Sequence, residues 1–168
     1  LKVPLSSAER EGYENARGTY LGFLRSHRIR MGSRDGWRHF IQQSSRSRAG
    51  REAMKAYRRQ RDIAMACSGK LDLLEILLSQ HAEDRTLVFV NSTRAVYEIA
   101  SQFLIPAITH QTPIKERREI LEGLRSGRFR AVVTNRVLNE GVDIPTANVA
   151  VVLSGSGAVR EHVQRLGR

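Results

Sequence analysis

Gln164 and Arg168 lie one helical turn apart in the run Q-R-L-G-R. On a helix of ~3.6 residues per turn they share one face. A glutamine that orients water and an arginine that neutralises a transferring phosphoryl group are what phosphate hydrolysis needs. Taken alone, however, the same five residues read better as an ordinary solvated amphipathic helix. Upstream, T-N-R-V-L-N-E-G-V-D-I-P runs from Thr134 to Pro145. Here a strand ends in a hydroxyl, a short polar helix follows, and Gly141-Val142-Asp143 closes the segment. The Thr134 hydroxyl and neighbouring backbone N–H groups could meet a phosphate oxygen. The Asp143 carboxylate suits a ribose hydroxyl, or it closes a turn before Pro145. Ser154-Gly155-Ser156-Gly157 joins a strand to a helix and could cradle a phosphate with backbone N–H groups. Glycines so placed also make plain tight turns.

Several chemistries are excluded by what the chain lacks. There is no G-x-x-x-x-G-K-[ST] and no apolar run ending in paired acids, and Gly69-Lys70 has no glycine loop before it. The chain is therefore not expected to hold Mg²⁺ and a triphosphate in the P-loop manner by itself. Cys67 is the single cysteine, so no intrachain disulfide can form. His27, His39, His81, His110 and His162 are scattered, with no second ligand at metal spacing, and no metal site is expected. No apolar run approaches the ~18 residues that cross a bilayer. The opening residues Leu1, Lys2 and Pro4 do not form a signal peptide. A cytoplasmic protein with no membrane partner is expected. The absence of an initial Met and the stop at Arg168 within a helical pattern suggest a piece of a longer protein.

The net charge is +11, and its distribution is uneven. Residues 1–66 hold 15 Lys/Arg against 6 Asp/Glu, whereas residues 67–168 hold 13 against 11. A positive field concentrated in one segment suits a polyanion, most often nucleic acid, or else serves solubility.

The elements that must position these residues change character near Cys67. Residues 1–66 read as helices only. Ser6 and Glu9 have capping-box spacing. Tyr13, Ala16, Tyr20, Phe23 and Leu24 then recur at helical period, predicting a helix over about 8–27. A turn over Met31–Asp35 precedes a short helix around Trp37, Phe40 and Ile41, interrupted at Ser44, Ser45 and Ser47. A basic helix over about 48–66 carries Ala49, Ala53, Met54, Tyr57 and Ile63 as its apolar stripe. Residues 67–168 alternate. A helix at 70–80 presents Leu71, Leu74, Leu77 and Leu78, and strands are expected at 86–90, 107–109, 131–134 and 149–153. Helices lie between them, one opened by Thr112 as cap with Pro113 in its first turn. Such alternation predicts an α/β fold with a parallel sheet covered on both faces. Ligands bind parallel sheets at the carboxyl ends of the strands. Asn91–Thr93, Thr134–Pro145 and Ser154–Gly157 lie there.

Taken in order, L-V-F-V-N-S, T-P-I-K-E-R-R-E-I-L, T-N-R-V-L-N-E-G-V-D-I-P and Q-R-L-G-R resemble motifs IV, IVa, V and VI of superfamily 2 helicases. The resemblance covers about residues 69–168. The wording N-E-G-V-D-I-P with S-G-S-G and Q-R-L-G-R looks most like the XPB-type helicases of archaea and bacteria. L-S-S-A-E-R-E-G-Y-E, Y-L-G-F-L-R and R-D-I-A-M-A fit that group more loosely.

The resemblance implies a second RecA-like motor domain of an ATP-dependent 3′-to-5′ DNA helicase or translocase, used in nucleotide excision repair or duplex opening. It implies ATP and Mg²⁺ as cofactors, held mainly by a first RecA-like domain. Arg168 would be the arginine finger and Gln164 its partner near the γ-phosphate, with Gly141, Asp143 and Arg165 at ATP. Asn91, Ser92, Thr134 and Asn135 would face DNA or the coupling region. The family pattern continues Q-R-x-G-R-x-x-R, so its last arginine would lie beyond Arg168. XPB relatives also carry a basic helical thumb-like segment. Residues 1–66 would hold it, with Arg51, Lys55, Arg58 and Arg59 gripping single-stranded, forked or duplex DNA. A repair nuclease as partner and a place at the nucleoid of a prokaryote are further implications. Other superfamily 2 motors, of restriction or branch-migration type, share motifs V and VI. A degenerate, non-catalytic nucleic-acid-binding module is the reading of another class.

Overall fold

The computed structural model describes residues 2–135 and 147–153. By their internal contacts the residues fall into two compact units, Leu1–Cys67 and Ser68–Arg168.

The first unit is three helices: α1 (Ser7–Ser26), α2 (Gly36–Ser45) and α3 (Arg48–Met65). The capping box opens α1, with the Glu9 backbone N–H donating to Ser6 Oγ and the Ser6 N–H to Glu9 Oε2. Ala16, Tyr20, Phe23 and Leu24 of α1 pack with Phe40 of α2 and with Ala53 and Ala56 of α3. The aromatic rings interlock, with Tyr20 edge-on to Phe40 at 5.3 Å. Burial first, and then Tyr57, pushes the Tyr20 phenol above its ordinary pKa.

Three details differ from the residue pattern. Ser44 and Ser45 do not interrupt α2. Their hydroxyls donate back to the carbonyls of Ile41 and Gln42, within the helix. Ser47 does end it, by capping α3 through the Gly50 N–H. The buried face of α3 carries Gly50, Ala53, Ala56 and Gln60, and Ala49 is exposed. Gly50 is buried because α2 crosses there: a Cβ on it would lie 2.6 Å from the Ser44 Cα and carbonyl oxygen. Gly18, by contrast, faces open space.

Opposite effects follow for the same substitution. Gly18→Ala is expected to stabilise by up to ~1 kcal/mol through helix propensity. Gly50→Ala is expected to cost about 1–3 kcal/mol, because a backbone neighbour cannot step aside. Thermal melts of the two variants check the pair, and equal shifts would contradict the α2–α3 packing.

The second unit begins with α4 (Ser68–Gln80), which buries Leu71 and Leu74. The rest is β1 (Thr86–Phe89), α5 (Thr93–Phe103), β2 (Ala107–Ile108), α6 (Ile114–Arg125), β3 (Ala131–Thr134) and β4 (Val149–Val152). Among the described residues the sheet is parallel, in the order β2-β3-β1-β4. Central strands β1 and β3 are buried at all four positions, as continuous apolar runs in a doubly covered sheet require. Leu87, Phe89, Ile108 and Val132 pack with Leu124 of α6. Edge strand β4 alternates instead, leaving Ala150 and Val152 exposed.

The cap of α6 also differs from expectation. Pro113 holds the cap position, with the Arg117 N–H bonding its carbonyl. The Thr112 hydroxyl accepts from the Thr109 N–H instead, tightening the loop before the helix. Among the described residues, no helix is long and apolar enough to cross a membrane. The short helix expected after Thr134, the loop over Gly141–Pro145, the turn at Ser154–Gly157 and the last helix lie outside the described residues.

Candidate nucleotide and nucleic-acid interface

Strand register builds the site. Phe89 pairs with Thr134 on one side and Val152 on the other, and Thr134 pairs with Ile108. The last residues of all four strands therefore stand in one row, Ile108–Thr134–Phe89–Val152. Backbone bonds extend the row by a step: Val90 N–H to the Thr134 carbonyl, Leu153 N–H to that of Phe89 and Asn135 N–H to that of Ile108. Whatever follows each strand emerges along this carboxyl edge.

Two of the expected segments meet there. The Asn135 side-chain amide donates to Thr93 Oγ1 at 2.8 Å, across 42 positions of sequence. Asn91, Ser92, Thr93 and Asn135 are all half-buried, each with part of its surface open. Ser92 caps α5 by accepting from the Ala95 N–H at 3.5 Å. The first turn of α5 thus points its N-terminal dipole at this edge, a favourable place for a phosphate.

Thr134 is placed differently from expectation. It is wholly buried, and its hydroxyl has no hydrogen-bond partner among the described residues. In this arrangement it presents no atom to a ligand, and Asn135 is the residue of the pair at the surface. Asn135 Oδ1 is likewise buried and without a partner among the described residues.

A further loop joins the edge, Thr109–Thr112, which nothing in the residue pattern had marked as part of the site. The Gln111 N–H donates to Thr109 Oγ1, and Tyr97 OH of α5 stands 3.3 Å from Thr109 Oγ1 and 3.5 Å from Gln111 Oε1. His110 and Gln111 are exposed. The signal available was the T-H-Q-T-P run itself, polar and placed between a short strand and a proline.

The opposite edge carries a perturbed acid. His81 Nδ1 holds the Asp84 carboxyl below its ordinary range, helped by the Asn148 amide. The Arg85 N–H in turn donates to Asn148 Oδ1, fastening β1 to β4 where the strands begin. Asp84 thus serves the sheet, not the carboxyl edge. Among the described residues no group of His, Cys, Asp and Glu could hold a metal ion. Gly141, Asp143, Gln164, Arg165 and Arg168 lie outside the described residues.

In the helical unit, Arg51, Lys55, Arg58 and Arg59 are all exposed. On a regular helix they span about 100° of arc, and the buried residues of α3 are centred roughly opposite. Lys55 also meets Glu52 at 3.0 Å in an open ion pair, which contributes only about 0–1 kcal/mol and exchanges readily for a phosphate.

Residues 69–168 match the family described as helicase conserved C-terminal domain. The chain belongs to that family. The chain is 33% identical over 168 residues to the DNA 3'-5' translocase XPB2 of Sulfurisphaera tokodaii, covering 100% of the chain and 38% of the relative. It is 36% identical over 106 residues to the DNA 3'-5' helicase XPB of Kineococcus radiotolerans, covering 61% of the chain and 19% of the relative. The chain thus spans well under half the length of these curated relatives.

Among solved structures, the C-terminal domain of a Sulfolobus solfataricus SWI2/SNF2 ATPase superposes with a TM-score of 0.65. It covers 99% of the chain and 83% of its own, at 13% identity, a likeness of fold. The E. coli DEAD-box protein SrmB, solved bound to the regulator RraA, gives 0.52 at 26% identity over 59% of the chain and 61% of its own. The parallel sheet with its helices is therefore the RecA-like C-terminal helicase fold.

Proposed function

We propose that this chain is the second motor half of an ATP-dependent 3′-to-5′ DNA helicase or translocase of the XPB type, acting in DNA repair or duplex opening. The observation that carries the reading is the extent of the Sulfurisphaera match. It runs through the basic helical unit as well as the helicase domain, so both units belong to one kind of protein.

The proposed partners are DNA and a first RecA-like domain, in the cytoplasm of a prokaryote. A repair nuclease is a further candidate partner. ATP and Mg²⁺ supply the phosphoryl transfer and its charge neutralisation, and the first domain would hold them. The roles of this chain's own residues follow from their chemistry. Arg168 neutralises charge on the transferring phosphoryl, Gln164 orients water, Gly141 and Asp143 hold the ribose, and Arg165 adds a cation at the nucleotide.

Asn91, Ser92 and Asn135 would face the DNA backbone, with Thr134 supporting Asn135 from beneath. The Asn135–Thr93 bond ties the loop after β1 to the loop after β3, so a shift at one is felt at the other. That is a route from nucleotide to DNA grip. Residues 1–66 would act as the thumb-like grip, meeting phosphates through Arg51, Lys55, Arg58 and Arg59, and residues 67–168 as the motor domain.

Purified residues 1–168 are expected to fold yet release no phosphate from ATP, with or without DNA, because no P-loop is present. DNA-stimulated turnover by this chain alone would sink the assignment. Pairing it with a domain that carries a P-loop and the Mg²⁺-binding acids is expected to create that turnover, and a pairing that stays inactive would do the same damage.

A further inference from the structure

Trp37 is the only tryptophan of the 168 residues, and it is 44% exposed in the first turn of α2. One side of its ring is seated. Tyr57 of α3 lies 5.2 Å away at 50° and Phe40 lies 5.6 Å away at 43°, with Phe40 wholly buried. The indole is therefore held by the core while much of its surface meets water. Ile41, one turn further along α2, is 43% exposed and widens the same apolar patch.

Two arginines lie close to this patch in the fold or the sequence. The Arg61 guanidinium lies 5.6 Å from the centre of the Tyr57 ring, with Nη1 donating to the Tyr57 hydroxyl at 3.3 Å. Arg38 follows Trp37 directly, its side chain open to solvent and paired with the exposed Asp35 at 3.3 Å. On the wheel of α3, Tyr57, Arg61 and Arg58 follow one another in steps of about 40° and 60°. The aromatic patch thus borders the basic face of Arg51, Lys55, Arg58 and Arg59. Asp35, Asp62 and Glu52, the last paired with Lys55, are the acids nearby in sequence, too few to reverse the field.

A protein-docking patch would need apolar or acidic complement. A polyanion with an exposed π-face matches an aromatic platform and a cationic border at once. In a duplex the bases stack on one another and offer no free face, whereas a single strand does. Resting on the DNA-binding reading above, we propose that Trp37, backed by Tyr57 and Phe40, is a stacking platform for an unpaired base. The phosphates of that strand run along the basic face of α3. The helical unit would then distinguish an opened strand from duplex, which the basic face alone cannot do.

The single tryptophan makes the test direct. The 168-residue chain is titrated with oligothymidylate, with a blunt duplex of equal length and with inorganic polyphosphate, while tryptophan fluorescence and binding are followed together. Saturable quenching by the single strand, and little by duplex or polyphosphate, is expected. Trp37→Ala should weaken single-strand binding about ten-fold or more with an unchanged salt slope, and Trp37→Phe should keep most of the affinity. Quenching needs no variant, so it decides even if Trp37→Ala folds poorly. DNA binding of normal salt dependence with unquenched fluorescence would overturn the platform and leave the DNA reading standing. Equal quenching by all three ligands would also overturn it. Failure to bind any DNA would overturn both.

Discussion

Arg168→Ala, made in the complete two-domain enzyme, is expected to lower kcat for ATP hydrolysis by roughly 10³ or more, since arginines supplied across such a cleft contribute about 10³–10⁵. On the proposed assignment, the charge it would offset builds up only as the phosphoryl group transfers, so the loss belongs in kcat. DNA affinity without nucleotide should hardly change. Asp143→Ala should behave differently. A carboxylate on the ribose binds ground state and transition state alike, so its removal should mainly raise KM for ATP. Steady-state ATPase kinetics on the two variants separate the roles. Normal kinetics in both would show that the Q-R-L-G-R and G-V-D segments are ordinary helix and turn.

The parallel sheet was legible because its central strands are buried on both faces. T-L-V-F-V and A-V-V-T therefore read as continuous apolar runs, and pattern located them to within a residue. The carboxyl edge followed from that. Its closure did not, because the Asn135–Thr93 bond joins residues 42 positions apart through strand order, which periodicity does not encode.

Local chemistry misled where a small residue had more than one use. Thr112 before Pro113 looked like a cap, but its hydroxyl is taken by the Thr109 N–H, and the proline carbonyl opens the helix. Gly50 carries no apolar side chain to mark it, yet it lies on the buried face of α3 because α2 comes close. Counting Ala49 as apolar instead shifted that stripe by one residue. Thr134 was read, from its place at a strand end, as a hydroxyl that could meet a phosphate oxygen, but its side chain is wholly buried. Asp143, Gln164 and Arg168 were marked first by their chemistry and spacing, whereas the roles of Gly141 and Arg165 came from the resemblance, and all five lie outside the described residues.

Reversing Arg51, Lys55 and Arg58 together to Glu is expected to weaken binding to every DNA sequence alike, because phosphate contacts carry no base information. These side chains are exposed, opposite the buried Ala53, Ala56 and Gln60, so the change leaves the packing of α3 alone. The diagnostic quantity is the slope of log K against log salt. Each lost phosphate contact removes one released counterion, so the slope should become shallower by about 0.7–0.9 per contact. Three lost contacts therefore predict a change of roughly 2–3. Loss of affinity through unfolding would instead abolish binding, and the retained helical signal of the unit distinguishes the two. In the complete enzyme, basal ATPase should survive, because no reversed residue belongs to the nucleotide site, while DNA stimulation and unwinding should fall together. An unchanged affinity and an unchanged slope would mean that this face meets water or an acidic protein, and the DNA grip would then have to be sought elsewhere on the chain.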